Sequence, residues 1–412
     1  MNIVVAQSGG PTCAINASLL GVFRHATKYD NIEKVYGSVN GIEGIILDNL
    51  VDLCEIIADD DDVELIRHTP STLLGSCRYK LPDFEKDNKV YETIVSNMKA
   101  HNIKAFFYIG GNDSMDTVMK LDRYLKANDI DIVAVGIPKT IDNDLPETDH
   151  TPGFGSAAKY VATAIQEITR DSSVYSVPSV TIIEIMGRDT GWLTASSSVL
   201  RANGEKAPHL IYLPEIPFSI NKFLDDVRAA QEKYHAVIVA VSEGIELNME
   251  EIGEEFQSGK TDNFGHKYLA GVGKALEKVV SREIGCKVRS IELNVMQRCS
   301  SHLSSKCDVA EAEKIGGAAV KAAMEGVSGE TMIFYRVTNS PYNVRIEHVD
   351  VSKVANRVKY FPKEWITADG NNVTDEAVEY FLPLIQGEQN IRFKNGLPQH
   401  FVLQSALPQK KY

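Results

Sequence analysis

Lys139, Asp142 and Asp144 stand close together in the stretch IPKTIDNDLP (137–146), which directly follows the apolar run DIVAVGI. A cation and two carboxylates at this spacing suit phosphoryl transfer. That chemistry asks the protein for positioning, for cations around the equatorial oxygens, and for a residue that orients the attacking hydroxyl. A general base adds ~10²–10⁴-fold. Two aspartates two positions apart share one side of an extended backbone. In a turn they diverge, so that one can serve a hydroxyl and the other a metal. IDND taken alone reads more readily as an Asx-turn and helix cap, so the assignment depends on what else the chain places nearby.

Other runs end in the same way. QSGGPTC, IGGNDS, IMGRDTG and LPE, with PKTIDND, close five β-rich segments with glycines and charged groups. One polar turn needs no explanation, but five loaded strand ends point to one cleft. The Gly pairs in SGGP (8–11) and GGNDS (110–114) each sit between a strand and a helix. There, backbone N–H groups and a helix N-terminus favour an anion. Neither stretch fits the P-loop pattern GxxxxGK[ST]. GFGSAA (153–158) fits G-x-G-x-x-A, but a polar loop separates it from its strand. Helix initiation with close packing is the better reading, and dinucleotide binding is not expected.

The elements that carry these ends alternate. Apolar strand-like runs such as NIVVAQ, KAFFYIGG, VTIIEIMG and HAVIVAVSEG are interleaved with segments whose apolar residues recur at three and four spacing. Continuous apolar strands alternating with helices imply mainly parallel sheets covered on both faces, an α/β fold. Ligands in such folds bind beyond the C-terminal strand ends. A chain of 412 residues exceeds one ordinary core, so two Rossmann-like three-layer domains are expected. Residues 246–270 read as an exposed polar insertion, and the region after Pro341 is less regular.

The bulk composition excludes several classes. The net charge of −13 argues against a nucleic-acid partner. An anionic substrate would have to be collected by local Arg and Lys. No apolar stretch is long enough to span a membrane. The opening MNIVVAQ is strand-like rather than a secretory signal. Six scattered cysteines, with no CxxC, read as free thiols in a reducing cytoplasm.

Together, SGG, GSCR (75–78), GGNDS, PKTIDNDL, MGR (186–188), LPE (213–215) and QR (297–298) resemble the phosphofructokinase family in order and spacing. TIDND with MGR downstream is the most specific part. The resemblance spans the chain to about residue 300; no motif can be placed after that. It implies a phosphoryl-donor domain over 1–151, completed by about 297–340, and a sugar-phosphate domain over 152–412. It implies that Asp142 is the base at the sugar 1-hydroxyl, with Thr140 and Ile141 beside it. Met186, Gly187, Arg188 and Glu215 would line the fructose 6-phosphate pocket, with Arg188 also acting in catalysis. Arg289 and Arg298 would grip the 6-phosphate. Gly9, Gly10, Arg78, Asp113, Ser114 and Lys139 would face the donor. Asn112, Asp113 and Asp144 would handle Mg²⁺. A homodimer or homotetramer is implied as well.

Asp113 and Lys139 bear on the donor. ATP-dependent members carry Gly at both positions, whereas this chain resembles the pyrophosphate-dependent branch. A carboxylate at 113 would crowd and repel an ATP α-phosphate, and Lys139 would support the transferring phosphoryl group. Three features depart from the family pattern: Asn112 stands where an acid is usual, Ser179 where many relatives carry Arg, and Val295 where His is common. The rival expectations are an ATP-dependent or seven-carbon-sugar kinase in the same fold, and a sugar-phosphate-binding regulator without turnover.

Overall fold

The computed structural model describes residues 1–248 and 271–403; most of the expected insertion at 246–270 lies outside them. Eleven strands in two sheets carry the fold: β1 Asn2–Gln7, β2 Lys34–Ser38, β3 Leu50–Asp52, β4 Ile103–Gly110, β5 Val133–Pro138, β6 Ser179–Ile185, β7 Leu210–Tyr212, β8 Ala236–Ser242, β9 Lys287–Glu292, β10 Glu330–Asn339 and β11 Tyr342–Asp350. The first sheet has the order β11-β10-β5-β4-β1-β2-β3, and the second β7-β8-β6-β9. Pairing is parallel except at the outer pairs β2–β3 and β10–β11. This is the α/β, mainly parallel architecture expected from the strand patterning.

The central strands are buried on both faces, which explains why their sequences do not alternate. Ile3, Val5, Phe107 and Ile109 enter one core layer, while Val4, Ala6, Phe106 and Tyr108 enter the other. The second sheet divides in the same way. Ile183, Ile185, Ile238 and Ala240 face one side; Val180, Ile182, Val237 and Val239 face the other. The helices that matter for the site are α1 Ile15–Ala26, α2 Asn112–Ala127, α3 Phe154–Ser172, α4 Ile220–Gln231, α5 Val272–Glu283, α6 Lys306–Met324 and α7 Asp375–Phe381. The first four occupy the segments whose apolar spacing predicts them.

The chain returns to the first sheet late. β10 pairs parallel with β5, through Glu330 with Val135 and Thr331 with Gly136, and β11 extends that edge to Asp350. The region after Pro341 therefore begins as a sheet strand. That strand, β11, is long and half-exposed, so its sequence lacks the apolar continuity of a central strand.

GFGSAA starts α3. Gly153 has φ +103°, and a Cβ there would meet the Thr12 side chain at 2.6 Å. The helix N-terminus is already satisfied by a carboxylate: Gly153 N–H donates to Asp308 Oδ1 at 2.8 Å, and Ser156 N–H to Oδ2 at 2.9 Å. Close packing and capping account for the motif.

Candidate active site

The C-terminal ends of β1, β4, β5 and β6, with the residue just past β8, surround a cleft of about 330 Å³. Its lining brings together Gly9, Gly10, Arg78, Asn112, Asp113, Ser114, Lys139, Thr140, Ile141, Asp142, Asp144, Met186, Arg188 and Arg298. Five cations (Arg78, Lys80, Lys139, Arg188, Arg298) and five carboxylates (Asp113, Asp142, Asp144, Asp189, Glu243) converge there. Cations and carboxylates are equal in number there, so an anion would be held by individual Arg and Lys side chains rather than by a net positive field.

Lys139 leaves β5 with its backbone N–H on Gly110 O at 2.9 Å. Its side chain is 2 % exposed, and Nζ donates to Gly10 O at 2.6 Å. Gly9 has φ +74°, and a Cβ on it would sit 3.3 Å from Nζ, so the bare turn lets the ammonium reach the donor loop. Burial pushes the Lys139 pKa down to about 8, with Asp142 pulling up and Arg298 pushing down. The Arg298 guanidinium lies beside the same loop, 3.2 Å from where a Gly10 Cβ would be.

The acidic turn is held from within. Thr140 Oγ1 accepts from Asp142 N–H at 3.1 Å, and Thr151 Oγ1 donates to Thr140 O at 2.8 Å. Asn143 takes φ +54° with its side chain buried, donating to the Tyr380 hydroxyl at 3.0 Å. That turn separates the two aspartates. Burial raises the Asp142 pKa to about 7; Asp144 and Glu243 add to this, while Lys139 and Arg188 oppose it. Asp144 is also raised, mainly by burial. A base near neutrality is well matched to proton abstraction.

Behind the turn lies a buried charge network that the sequence did not announce. His150 bridges Asp149 at 2.8 Å and Glu311 at 2.7 Å, and Arg336 forks onto Asp149 at 2.9 and 3.1 Å. The two acids hold the His150 pKa up at about 9 despite burial. Lys359 Nζ donates to the carbonyls of Thr148 at 3.0 Å and Asp149 at 2.9 Å.

Three expected residues do not line the cleft. Gly187 acts through its backbone: its N–H donates to Glu243 Oε1 at 3.2 Å, and its carbonyl accepts from Ser242 Oγ at 2.8 Å. Glu215 is a brace, with Oε1 accepting from Gly191 N–H and Phe361 N–H, both at 2.9 Å. Arg289 lies near the entry end of β9, paired in register with Thr181, half-exposed and 3.4 Å from Asp171. The cleft follows the exit end of the neighbouring strand, so within one chain Arg289 stands apart from it. Asp113 faces the cleft and pairs with Lys80 at 3.1 Å. Asn112 lines the cleft, but its amide is engaged: Oδ1 accepts from Asn356 N–H and Nδ2 donates to Arg357 O.

Glu243, Asp189 and Lys80 are lining residues absent from the sequence expectation. Glu243 was findable, because AVIVAVSEG is an apolar strand ending in a charge and a glycine, residue types that also load the other strand ends. Lys80 follows Arg78 by two positions in a loop with no periodicity, and nothing local marks it.

A phosphofructokinase family model matches residues 2–323. A pyrophosphate--fructose 6-phosphate 1-phosphotransferase of Halomonas elongata is 38% identical over 401 residues, covering 97% of this chain and 95% of that protein. One from Xanthomonas campestris is 38% identical over 413 residues, covering 100% and 98%. The crystal structure of a pyrophosphate-dependent phosphofructokinase from Marinobacter aquaeolei superposes with a TM-score of 0.86 at 36% identity, covering 100% of this chain and 98% of that one. With the cleft, the sheet order and these full-length likenesses in agreement, the chain belongs to the phosphofructokinase family.

Proposed function

We propose that this chain transfers a phosphoryl group from inorganic pyrophosphate to the 1-hydroxyl of fructose 6-phosphate, giving fructose 1,6-bisphosphate and phosphate, as a reversible step of sugar-phosphate metabolism in the cytoplasm. The observation that carries the reading is the meeting of Lys139, Asp142 and Asp113 in one cleft. Relatives named for this reaction match the chain from end to end. No described helix is long and apolar enough to cross a membrane.

The donor lies along the Gly9–Gly10 turn and the N-terminus of α2, between Arg78 and Lys139, with Arg298 beside Gly10 facing the sugar 6-phosphate. Asp113 narrows the space beyond it, against a nucleoside. The sugar 1-hydroxyl meets Asp142, which takes its proton as the oxygen attacks the near phosphorus. The new O1–P bond forms while the bridging P–O bond breaks, and the bridging electron pair leaves on phosphate. Lys139 keeps positive charge at the transferring group throughout. Arg188 and Glu243 hold the sugar, and Met186 N–H is fixed on Gln297 Oε1 at 3.2 Å.

The donor set fits Mg²⁺. Among the described residues no three His, Cys, Asp or Glu side chains gather to cage an ion alone. Mg²⁺ typically takes one or two carboxylates together with substrate phosphates and waters. Burial raises both Asp142 and Asp144 in pKa, and a divalent cation would favour their charged forms. Asp144 and Asp113 are the residues that would hold it, and it would neutralise charge on the phosphates. A homodimer or homotetramer belongs to the same reading and gives Arg289, remote from its own cleft, a place to act.

Phosphorus NMR tests the assignment. Purified protein with fructose 6-phosphate, pyrophosphate and Mg²⁺ is expected to yield a C1 phosphate ester and orthophosphate, and to run backwards from those products. Absence of the C1 ester overturns the reading.

A further inference from the structure

We propose that the segment 356–361 is a strap that sets the spacing between the N-terminus of α2 and the acidic turn, with Asn112 and Lys359 as the positioning residues that fasten it. This rests on the function proposed above and goes beyond it.

The strap lies behind the cleft, bonded to the start of α2 and to the acidic turn without lining the cavity itself. At one end Asn112, the first residue of α2, offers a complete amide to a complete peptide edge. Its oxygen accepts Asn356 N–H and its nitrogen donates to Arg357 O. The polarity of two backbone groups cannot be reversed, so the amide orientation follows from its partners. The Asn356 side chain adds a bond from Nδ2 to Asp116 Oδ1 at 2.9 Å, one turn along α2. Asn356 itself takes φ +60°, bending the chain toward the helix.

Three residues on, Lys359 fastens the other side. Its backbone N–H donates to Asp144 O at 2.7 Å, and its carbonyl accepts from Trp192 Nε1 at 2.9 Å. Its ammonium reaches Asn143 Oδ1 at 3.4 Å as well as the Thr148 and Asp149 carbonyls, and sits 4.9 Å over the Trp192 ring. The strap ends with Phe361 N–H on Glu215. One short stretch thus ties the start of α2, both aspartates' turn, and Trp192 and Glu215.

This gives Asn112 a physical reason to differ from the acid usual at its position. A carboxylate could accept from Asn356 N–H but could not donate to Arg357 O, and two acceptor oxygens would face each other. The amide gains the strap and gives up a charge near the metal. The metal-ligand role that the resemblance suggests for this position and the strap role predict opposite results for one substitution.

Asn112→Asp is the discriminating variant, with Asn112→Ala, Lys359→Met and Lys359→Arg beside it. In the substrate-free protein, hydrogen–deuterium exchange of the peptide covering 354–362 is expected to speed up about tenfold in Asn112→Asp and Asn112→Ala, the loss of roughly one net hydrogen bond. In turnover with pyrophosphate, kcat is expected to fall about tenfold or more in both Asn112 variants. The Mg²⁺ concentration for half-maximal rate should stay within about twofold of the parent. Lys359→Arg keeps charge and donors and is expected to recover part of the kcat lost in Lys359→Met. Asn112→Asp with undiminished kcat, a lower Mg²⁺ requirement and unchanged exchange overturns the strap. Because exchange needs no substrate, a protein inactive with pyrophosphate refutes the proposed function without silencing this test. If one variant fails to fold, Asn112→Ala and Lys359→Arg carry the same comparison.

Discussion

Removing the charge of Lys139 is the most informative single perturbation of the cleft. Its Nζ is buried, bonded to Gly10 O at 2.6 Å, and lowered from 10.5 to about 8 chiefly by desolvation. That displacement corresponds to about 3 kcal/mol against charging in the free enzyme, a cost that a bound anion offsets. A unit positive charge about 4 Å from the transferring group, at an effective dielectric near 20, is worth about 4 kcal/mol. Lys139→Met should therefore lower kcat by about three orders of magnitude. The pH profile gives the sharper readout. A lowered lysine pKa means the ammonium is present below about pH 8 and lost above it. In the parent, kcat/KM for pyrophosphate should fall as pH rises through about 8. In Lys139→Arg the side chain stays charged, so that limb should move up or vanish even where geometry costs rate. The titration of pyrophosphate is common to both proteins and cancels in the comparison. An identical alkaline limb in parent and Lys139→Arg would refute the assignment of that charge.

Asp142→Asn should abolish measurable turnover while calorimetry still detects fructose 6-phosphate binding. The parent's kcat/KM should also decline as pH falls below about 7, because the raised carboxyl is a base only when deprotonated. Asp113→Gly removes bulk and charge at the donor mouth and frees Lys80, so ATP-dependent turnover should become detectable in a coupled assay; none above the parent's level would exclude Asp113 from donor choice. His150→Leu should lower unfolding free energy by about 3 kcal/mol in denaturant titration, since it leaves Asp149 and Glu311 short of a buried partner. The His150 pKa is raised in the fold, so its stabilisation is complete below about pH 6.5 and fades as pH rises through about 9.

The parts of this molecule that were legible in sequence share a physical cause. Strands buried on both faces must be apolar without interruption, and helices packed on one side must repeat at three and four, so NIVVAQ and SMDTVMKLDRYLKA declare themselves. Cleft loops leave such strands abruptly, which exposes Lys139, Asp142 and Asn112 to inspection. What was not legible depends on partners far along the chain. Glu215 looks like a pocket residue by position, yet its carboxylate closes on Gly191 and Phe361. Lys359 sits in a region with no periodicity and Arg336 on a late strand, and only the fold brings them behind residues 143–149. Arg289 shows a further limit, because its strand is predictable but the end of the sheet at which it lies is not.

The central claim concerns the donor. Initial rates with fructose 6-phosphate and Mg²⁺, measured side by side with pyrophosphate and with ATP on the unmodified protein, test it most directly. Saturable turnover with pyrophosphate is expected, with a lower kcat/KM for ATP because Asp113 would crowd and repel an α-phosphate. Turnover with ATP equal to or above that with pyrophosphate would contradict it.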